Sequence, residues 1–144
     1  VDEWDKMIDV NIRGVLYGAN AVFSRFLDQG FGKIINISTI AGKRAMVGSS
    51  VYSGTKAAVN LISEGIRLES KGIIQVTCIM PGAFQTELGN SIKDEALFET
   101  LMDTGLAEIA RPAREVANAI KFALQQDTGV AINELVIRPT AQEL

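Results

Sequence analysis

The sequence contains no histidine and only one cysteine among its 144 residues. Without histidine, this chain alone cannot carry a Ser-His-Asp triad, a Cys-His pair or a histidine-ligated zinc site, and no metal site is predicted. A single cysteine excludes an intrachain disulfide. Cys78 lies in an apolar run from Ile73 to Met80, where a buried thiol is the usual outcome. A lone unpaired cysteine favours a reducing cytoplasm as the location of the protein.

Long apolar runs and an excess of positive charge are also lacking. No apolar run approaches the roughly 20 residues that cross a bilayer, and residues 1–6 are acidic, unlike a signal peptide. The net charge of −3 provides no electrostatic footprint for nucleic acid or an anionic membrane, so neither partner is expected. The content of 47% hydrophobic and 22% charged residues is typical of one globular unit.

Hydrophobic periodicity and turn residues predict alternating helices and strands. In chain order the predicted elements are a helix over about 3–29, a strand over 33–38, a helix over 50–71, a strand over 73–80, a helix over 93–103, a helix with Pro112 at its first position and a strand over 134–138. The strand over 73–80 is almost continuously apolar, as a central strand of a parallel sheet is. The alternation predicts an open α/β sheet with helices on both faces. Three strands form too small a sheet for the number of predicted helices. The pattern is therefore that of half of a doubly wound domain.

The first predicted helix has one irregular point. Asp2 is its predicted N-cap, and Gly14 predicts a local distortion. Asn11 falls on the apolar face and must find polar partners inside the fold. That face is formed by Trp4, Ile8, Val15, Ala19, Val22 and Phe26.

Ligands of open α/β sheets bind beyond the carboxyl ends of the strands. In this sequence those ends carry Ser38-Thr39, Pro81-Gly82 and Arg138-Pro139. We therefore expect hydroxyl groups, a Pro-Gly turn and the start of the following helix to face one crevice.

Tyr52 and Lys56 open that helix four residues apart, so they share one of its faces. A free tyrosine has a pKa of about 10, and a nearby ammonium should lower it. Tyr52 could then exchange a proton with a substrate oxygen, which a hydroxyl at the strand end could also hold. Taken singly, each piece has a structural explanation: an exposed amphipathic pair, a satisfied core amide at Asn11, or a turn. The occurrence of all four features in this order, from Asn11 through Ser38-Thr39 and the Tyr52–Lys56 pair to Pro81-Gly82, favours a functional site over these separate explanations.

Four segments together resemble the short-chain dehydrogenase/reductase family over essentially the whole chain: Asn11-Ile12-Arg13-Gly14, residues 34–42 with Ser38-Thr39, Tyr52-Ser53-Gly54-Thr55-Lys56, and residues 81–88 from Pro81-Gly82. The resemblance implies a Rossmann-like fold and an oxidoreductase that interconverts an alcohol and a carbonyl with NADP or NAD. The two ends of the chain resemble a bacterial subgroup that acts on serine-like 3-hydroxy acids with NADP.

The resemblance also implies roles for individual residues. Tyr52 would be the catalytic acid/base, Lys56 would bind the nicotinamide ribose, and Asn11 would order a water. The family places a serine thirteen residues before its tyrosine, where this sequence has Thr39. Thr39 is therefore the predicted substrate-binding hydroxyl, with Ser38 as second choice.

The cofactor side of the site is implied in the same way. Besides Tyr52 and Lys56, the predicted cofactor-binding residues are Pro81, Gly82, Phe84 and Thr86. The segment 83–110 would be the substrate lid.

One departure from the family is large. The glycine-rich turn Gly-x-x-x-Gly-x-Gly, which holds the cofactor pyrophosphate, does not occur in these 144 residues. The expectation is a single partial domain, the C-terminal catalytic half, derived from a longer polypeptide or a truncated gene. It should bind a dinucleotide weakly or not at all.

Two functions remain open at this point. The first is an oxidoreductase, or its catalytic half, acting on a small alcohol or carbonyl. The alternative is a non-catalytic family member that acts only as an oligomerising module. In both cases the resemblance implies a homodimer or homotetramer formed through helices 3–29 and 50–71.

Overall fold

The apolar segment Ile74–Pro81 forms the middle strand of a three-stranded parallel sheet. The structure is a computed structural model that describes residues 1–88, 92 and 94–143. Its elements are α1 (Asp2–Ile8), a π-helical turn (Asp9–Arg13), α2 (Gly14–Gln29), β1 (Gly32–Ile37), a 3-10 turn (Ile40–Gly42), α3 (Ser50–Glu69), β2 (Ile74–Pro81), β3 (Phe84–Gln85), α4 (Glu95–Met102), α5 (Leu106–Ile109), β4 (Arg111–Pro112), α6 (Arg114–Leu124) and β5 (Glu134–Ile137). The sheet order is β1-β2-β5, with Ile35 beside Thr77 and Cys78 beside Glu134. The predicted α/β class and the central position of β2 are confirmed.

One face of β2 packs against α2 and α3. Alternate residues of the strand point to this face, where they enter two buried clusters. The clusters are Val59, Cys78 and Met80, and Ile66, Ile74 and Val76. Both clusters join α3 to β2, so their burial fixes the helix that carries Tyr52 against the sheet.

The opposite face of the sheet holds α6. Lys33 lies on this face of β1, and its ammonium donates to the Leu124 carbonyl at the end of α6, at 2.8 Å. Gln75, its neighbour on β2, donates to the Asp127 carbonyl in the loop that follows, at 2.7 Å. Helices therefore cover both faces, as predicted. Within the described residues, β1 pairs only with β2, so its other edge carries no strand.

The first helix departs from the prediction in detail. The irregularity expected near Gly14 is present as the π-helical turn Asp9–Arg13, which contains Asn11. The predicted N-cap Asp2 is wrong: Val1 holds that position, because its carbonyl accepts from the Asp5 N–H at 3.0 Å and draws Asp2 into the helix. Trp4, predicted on the apolar face of this helix, is 52% exposed.

The position of Pro112 also differs between the sequence prediction and the structure. The sequence predicts it as the first residue of a helix, but it lies in β4, and α6 begins two residues later at Arg114. Arg111 donates its N–H to the Ala83 carbonyl at 3.2 Å, which starts the short parallel pairing with β3. Proline suits the end of such a pair because it has no N–H to satisfy.

Helix α3 ends close to Gly72, the residue that the sequence predicts as its stop. Ser70 is its C-cap, and Lys71 and Gly72 follow with φ of 50° and 85°, both left-handed. Glycine adopts this conformation without strain, so Gly72 lets the chain turn sharply into β2. Across the described residues, no helix combines the length and apolar character needed to span a membrane.

Candidate active site

The carboxyl ends of β1 and β2 meet at the Thr39 hydroxyl. Thr39 follows β1 by two residues and donates from Oγ1 to the Pro81 carbonyl at 3.1 Å. The same oxygen accepts from the Ala41 N–H at 3.3 Å, which caps the 3-10 turn after the strand. Two neighbouring strand ends are thereby joined at one edge of the sheet.

Tyr52 lies in the first turn of α3 and is half-buried. The Thr39 hydroxyl lies near the phenol, where it affects the ionisation of Tyr52. Burial raises the pKa of Tyr52 above its ordinary value of 10.0, and the Thr39 hydroxyl opposes the rise, since it can turn to donate to a phenolate oxygen. The phenol is therefore protonated at neutral pH.

Lys56 lies one helical turn beyond Tyr52. Its Nζ is 6.0 Å from the centroid of the Tyr52 ring, over the ring face. The ammonium donates to the Ile37 carbonyl at 3.1 Å, and burial lowers the pKa of Lys56. The predicted lowering of the Tyr52 pKa is wrong for this structure, because burial of the phenol outweighs the other effects on it.

Asn11 reaches α3 from the π-helical turn. Its Nδ2 donates to Thr55 Oγ1 at 3.0 Å, and Thr55 Oγ1 donates to the Tyr52 carbonyl at 2.8 Å. The expected buried partner of the Asn11 amide is therefore Thr55. This chain of bonds ties the first turn of α3 to the preceding helix.

Ser38, the second choice for the hydroxyl, is buried at 4% exposure. Its Oγ donates to the Lys56 carbonyl at 3.0 Å. This bond ties the end of β1 to the backbone of α3. Between the two candidates, Thr39 is the one in contact with Tyr52.

The residues predicted to line the cofactor lie at the end of β2 and just after it. Gly82 donates its N–H to the Ile137 carbonyl at 2.8 Å, so this turn is also joined to the end of β5. Phe84 is half-buried in β3. Thr86 is exposed, and its Oγ1 accepts from the Leu88 N–H at 3.3 Å. Pro81 meets Thr39 through its carbonyl, whereas no hydrogen bond among the described residues joins Phe84 or Thr86 to Tyr52.

The structure adds two residues that the sequence analysis missed as site residues. Gln142 Oε1 accepts from the Ala83 N–H at 2.8 Å. The Arg138 side chain packs against Gly82, and its Nη1 is buried without a hydrogen-bond partner among the described residues. In the sequence, only the position of Arg138 at a strand end indicated that it could lie near the site. Nothing in the sequence indicated a role for Gln142.

A cavity of about 320 Å³ lies elsewhere, between α3, β2 and the start of β5. Asn60, Val76, Cys78 and Glu134 are among its lining residues. Cys78 Sγ donates to Asn60 Oδ1 at 3.3 Å, and burial raises the pKa of the thiol, which keeps it protonated. None of the predicted site residues lines this cavity, so it does not locate the chemistry.

The sequence of this chain matches a known protein family. A family model described as short chain dehydrogenase matches residues 1–97. An uncharacterized oxidoreductase of Staphylococcus saprophyticus subsp. saprophyticus is 41% identical over 146 residues, which cover 99% of this chain and 58% of that protein. A second uncharacterized oxidoreductase, from Staphylococcus aureus strain MRSA252, is 39% identical over 140 residues and 96% of this chain. This chain spans 56% of that second protein.

Solved structures show the same fold. The closed form of a serine dehydrogenase complexed with NADP⁺ superposes with a TM-score of 0.90 at 31% identity, over 100% of this chain and 58% of that one. A serine dehydrogenase from Escherichia coli gives a TM-score of 0.81 at 28% identity, over 100% of this chain and 56% of that one. The chain therefore spans a little over half the length of the proteins it matches.

The proximity of Thr39 to Tyr52 predicts how the phenol ionises. The chain has two tyrosines, so Tyr17→Phe leaves Tyr52 as the sole phenol. In that background Thr39→Val should make Tyr52 titrate at higher pH, because the interaction that lowers its pKa is lost. Thr39→Ser should leave the titration unchanged. Ultraviolet absorbance of the phenolate measures it, with circular dichroism confirming the fold. Equal titration of the Thr39→Val and Thr39→Ser chains would show that the Thr39 hydroxyl does not act on the phenol.

Proposed function

Because the chain belongs to the short chain dehydrogenase family, we propose that Thr39, Tyr52 and Lys56 carry the proton transfer of an alcohol–carbonyl interconversion. The observation that carries the proposal is the proximity of the Tyr52 phenol to the Thr39 hydroxyl, at the edge of the sheet where β1 and β2 end. In this arrangement one substrate oxygen would have an acidic proton and a second hydroxyl within reach.

In the reducing direction, Tyr52 is the general acid. A substrate carbonyl oxygen accepts the phenol proton, and the O–H bond of Tyr52 breaks as the alcohol O–H forms. Thr39 turns its proton from the Pro81 carbonyl to the same oxygen. The raised pKa of Tyr52 suits this role, because the acid must be protonated before transfer. In the oxidising direction the phenolate takes the proton back.

Lys56 supports this step from beside the ring. Its ammonium, 6.0 Å from the ring centroid, stabilises the phenolate left after transfer. Asn11 is proposed to order water for the proton relay, and the support is the bond that brings its amide to α3 through Thr55.

The residues at this edge fit the nicotinamide end of NADP or NAD, which supplies or accepts the hydride when bound. Lys56 offers an ammonium for ribose hydroxyls. Gly82 has no side chain, and Arg138 Cγ would lie 2.8 Å from a Cβ placed there, so the backbone is closely packed. Pro81, Phe84 and Thr86 would complete the wall. The sequence holds no glycine-rich loop for the pyrophosphate.

For the substrate we propose a small 3-hydroxy acid or the matching carbonyl compound, with 83–110 as the lid. The support is the likeness to two structures named serine dehydrogenase, at 31% and 28% identity. One of them is described as the closed form with NADP⁺, which favours NADP over NAD for this chain.

Two phenylalanine substitutions test the acid. Tyr52→Phe should lower the oxidation rate of serine or a related 3-hydroxy acid with NADP⁺ by roughly 10²–10⁴-fold, because the group proposed to take the proton from the substrate hydroxyl is lost. Tyr17→Phe is the matched control, since Tyr17 is 70% exposed. Rates are measured by NADPH absorbance on the polypeptide that carries this sequence. A Tyr52→Phe protein with the rate of the Tyr17→Phe protein would exclude this role.

A second candidate function, assembly, is favoured by the exposed apolar side chains of the helices. Leu61 and Leu68 are seven residues apart on α3 and share a helix face, and Val10 and Tyr17 lie in the π-helical turn and in α2. All four are more than half exposed. We propose that these faces pair in a homodimer or homotetramer, because burial of apolar area drives association.

Charge on that surface should prevent assembly. Leu61→Glu places a carboxylate at a position that is 76% exposed in the single chain, so it should leave the fold intact and yield a smaller species. Val130→Glu, at a 54% exposed loop position, is the control. Analytical ultracentrifugation measures the mass. Identical masses for the two variants would show that α3 does not form the interface.

A further inference from the structure

We propose that Gln142 is a positioning residue, which holds the Pro81–Ala83 turn in the place where it would face the nicotinamide. The inference rests on the function proposed above. It assigns a task to the last residues of the chain, which follow β5 and take no part in the sheet.

The segment after β5 folds back on itself. The Gln142 N–H donates to the Pro139 carbonyl at 2.9 Å, which closes a turn over residues 139–142. This turn directs the Gln142 side chain to the end of β2, where Oε1 accepts from the Ala83 N–H at 2.8 Å. Gln142 and Ala83 are both partly buried, so the bond is shielded from water.

Gly82 shows how closely the segment packs. A Cβ on this residue would collide with the carboxamide of Gln142 and would lie 2.8 Å from Arg138 Cγ. Gln142 is held by its bond to Ala83, so the carboxamide cannot move aside without breaking that bond. The position of the Gln142 carboxamide therefore requires a residue without a side chain at position 82.

The rest of the turn is anchored on every side. The Pro81 carbonyl accepts from Thr39, and the Gly82 N–H donates to the Ile137 carbonyl. The Ala83 carbonyl accepts from the Arg111 N–H, next to the pairing of β3 with β4. The bond to Gln142 adds a side-chain anchor at the residue where the proposed lid begins. Removal of this anchor frees the Ala83 N–H while Thr39 continues to hold Pro81.

Amide hydrogen exchange tests the anchor without any need for activity. In the 144-residue chain, Gln142→Ala should speed exchange of the Ala83 amide by about tenfold, since its hydrogen-bond acceptor is gone. Gln142→Glu keeps an acceptor oxygen and should restore slow exchange. Gln125→Ala, at an exposed glutamine in the loop after α6, should change nothing at Ala83.

Titration with NADP⁺ tests the consequence for binding. Gln142→Ala should raise the Kd several-fold, and Gln142→Glu should raise it less than the alanine variant does. Slow Ala83 exchange in Gln142→Ala overturns the inference, as does fast exchange with unchanged NADP⁺ affinity. If the unmodified chain binds no NADP⁺, nicotinamide binding by these 144 residues fails instead, and the exchange measurement still decides whether Gln142 holds the turn.

Discussion

The hydrogen bonds of one hydroxyl group, that of Thr39, determine the geometry of the whole site. Its single proton goes to the Pro81 carbonyl, and its oxygen accepts from the Ala41 N–H. The same side chain also meets the Tyr52 phenol. Two strand ends and a capped turn therefore meet at one hydroxyl, close to the start of α3. Because a hydroxyl has one proton, a substrate carbonyl oxygen can accept from Thr39 only by taking the place of the Pro81 carbonyl.

Burial elsewhere in the fold makes this local network rigid. The middle strand β2 is covered on one face by α2 and α3 and on the other by α6. Val59 and Met80, both at 0% exposure, lock α3 against the strand that ends at Pro81. Ser38 adds a hydrogen bond from the end of β1 to the α3 backbone. The phenol and the strand ends are thus fixed by packing that is independent of any ligand.

The sequence predicted the features that depend on local pattern. The apolar run before Pro81 identified the central strand, and the polar residue Asn11 on an apolar face correctly implied a buried partner. Features that depend on distant contacts were missed. Pro112 pairs with Gln85, which lies 27 residues earlier in the chain. Gln142 hydrogen-bonds to Ala83, from which it is separated by 59 positions. The direction of the Tyr52 pKa shift was also missed, because burial of a side chain is a property of the fold rather than of its neighbours in sequence.

A double-mutant cycle on the free energy of unfolding tests the central interaction most directly. Thr39→Val, Tyr52→Phe and the double variant are compared with the unmodified chain, so that the loss of the Pro81 bond cancels. If the two side chains share a hydrogen bond, the cycle yields a coupling free energy of about 0.5–1.5 kcal/mol. Additivity of the two single changes within about 0.3 kcal/mol would show that Thr39 and Tyr52 do not interact, and would contradict the account.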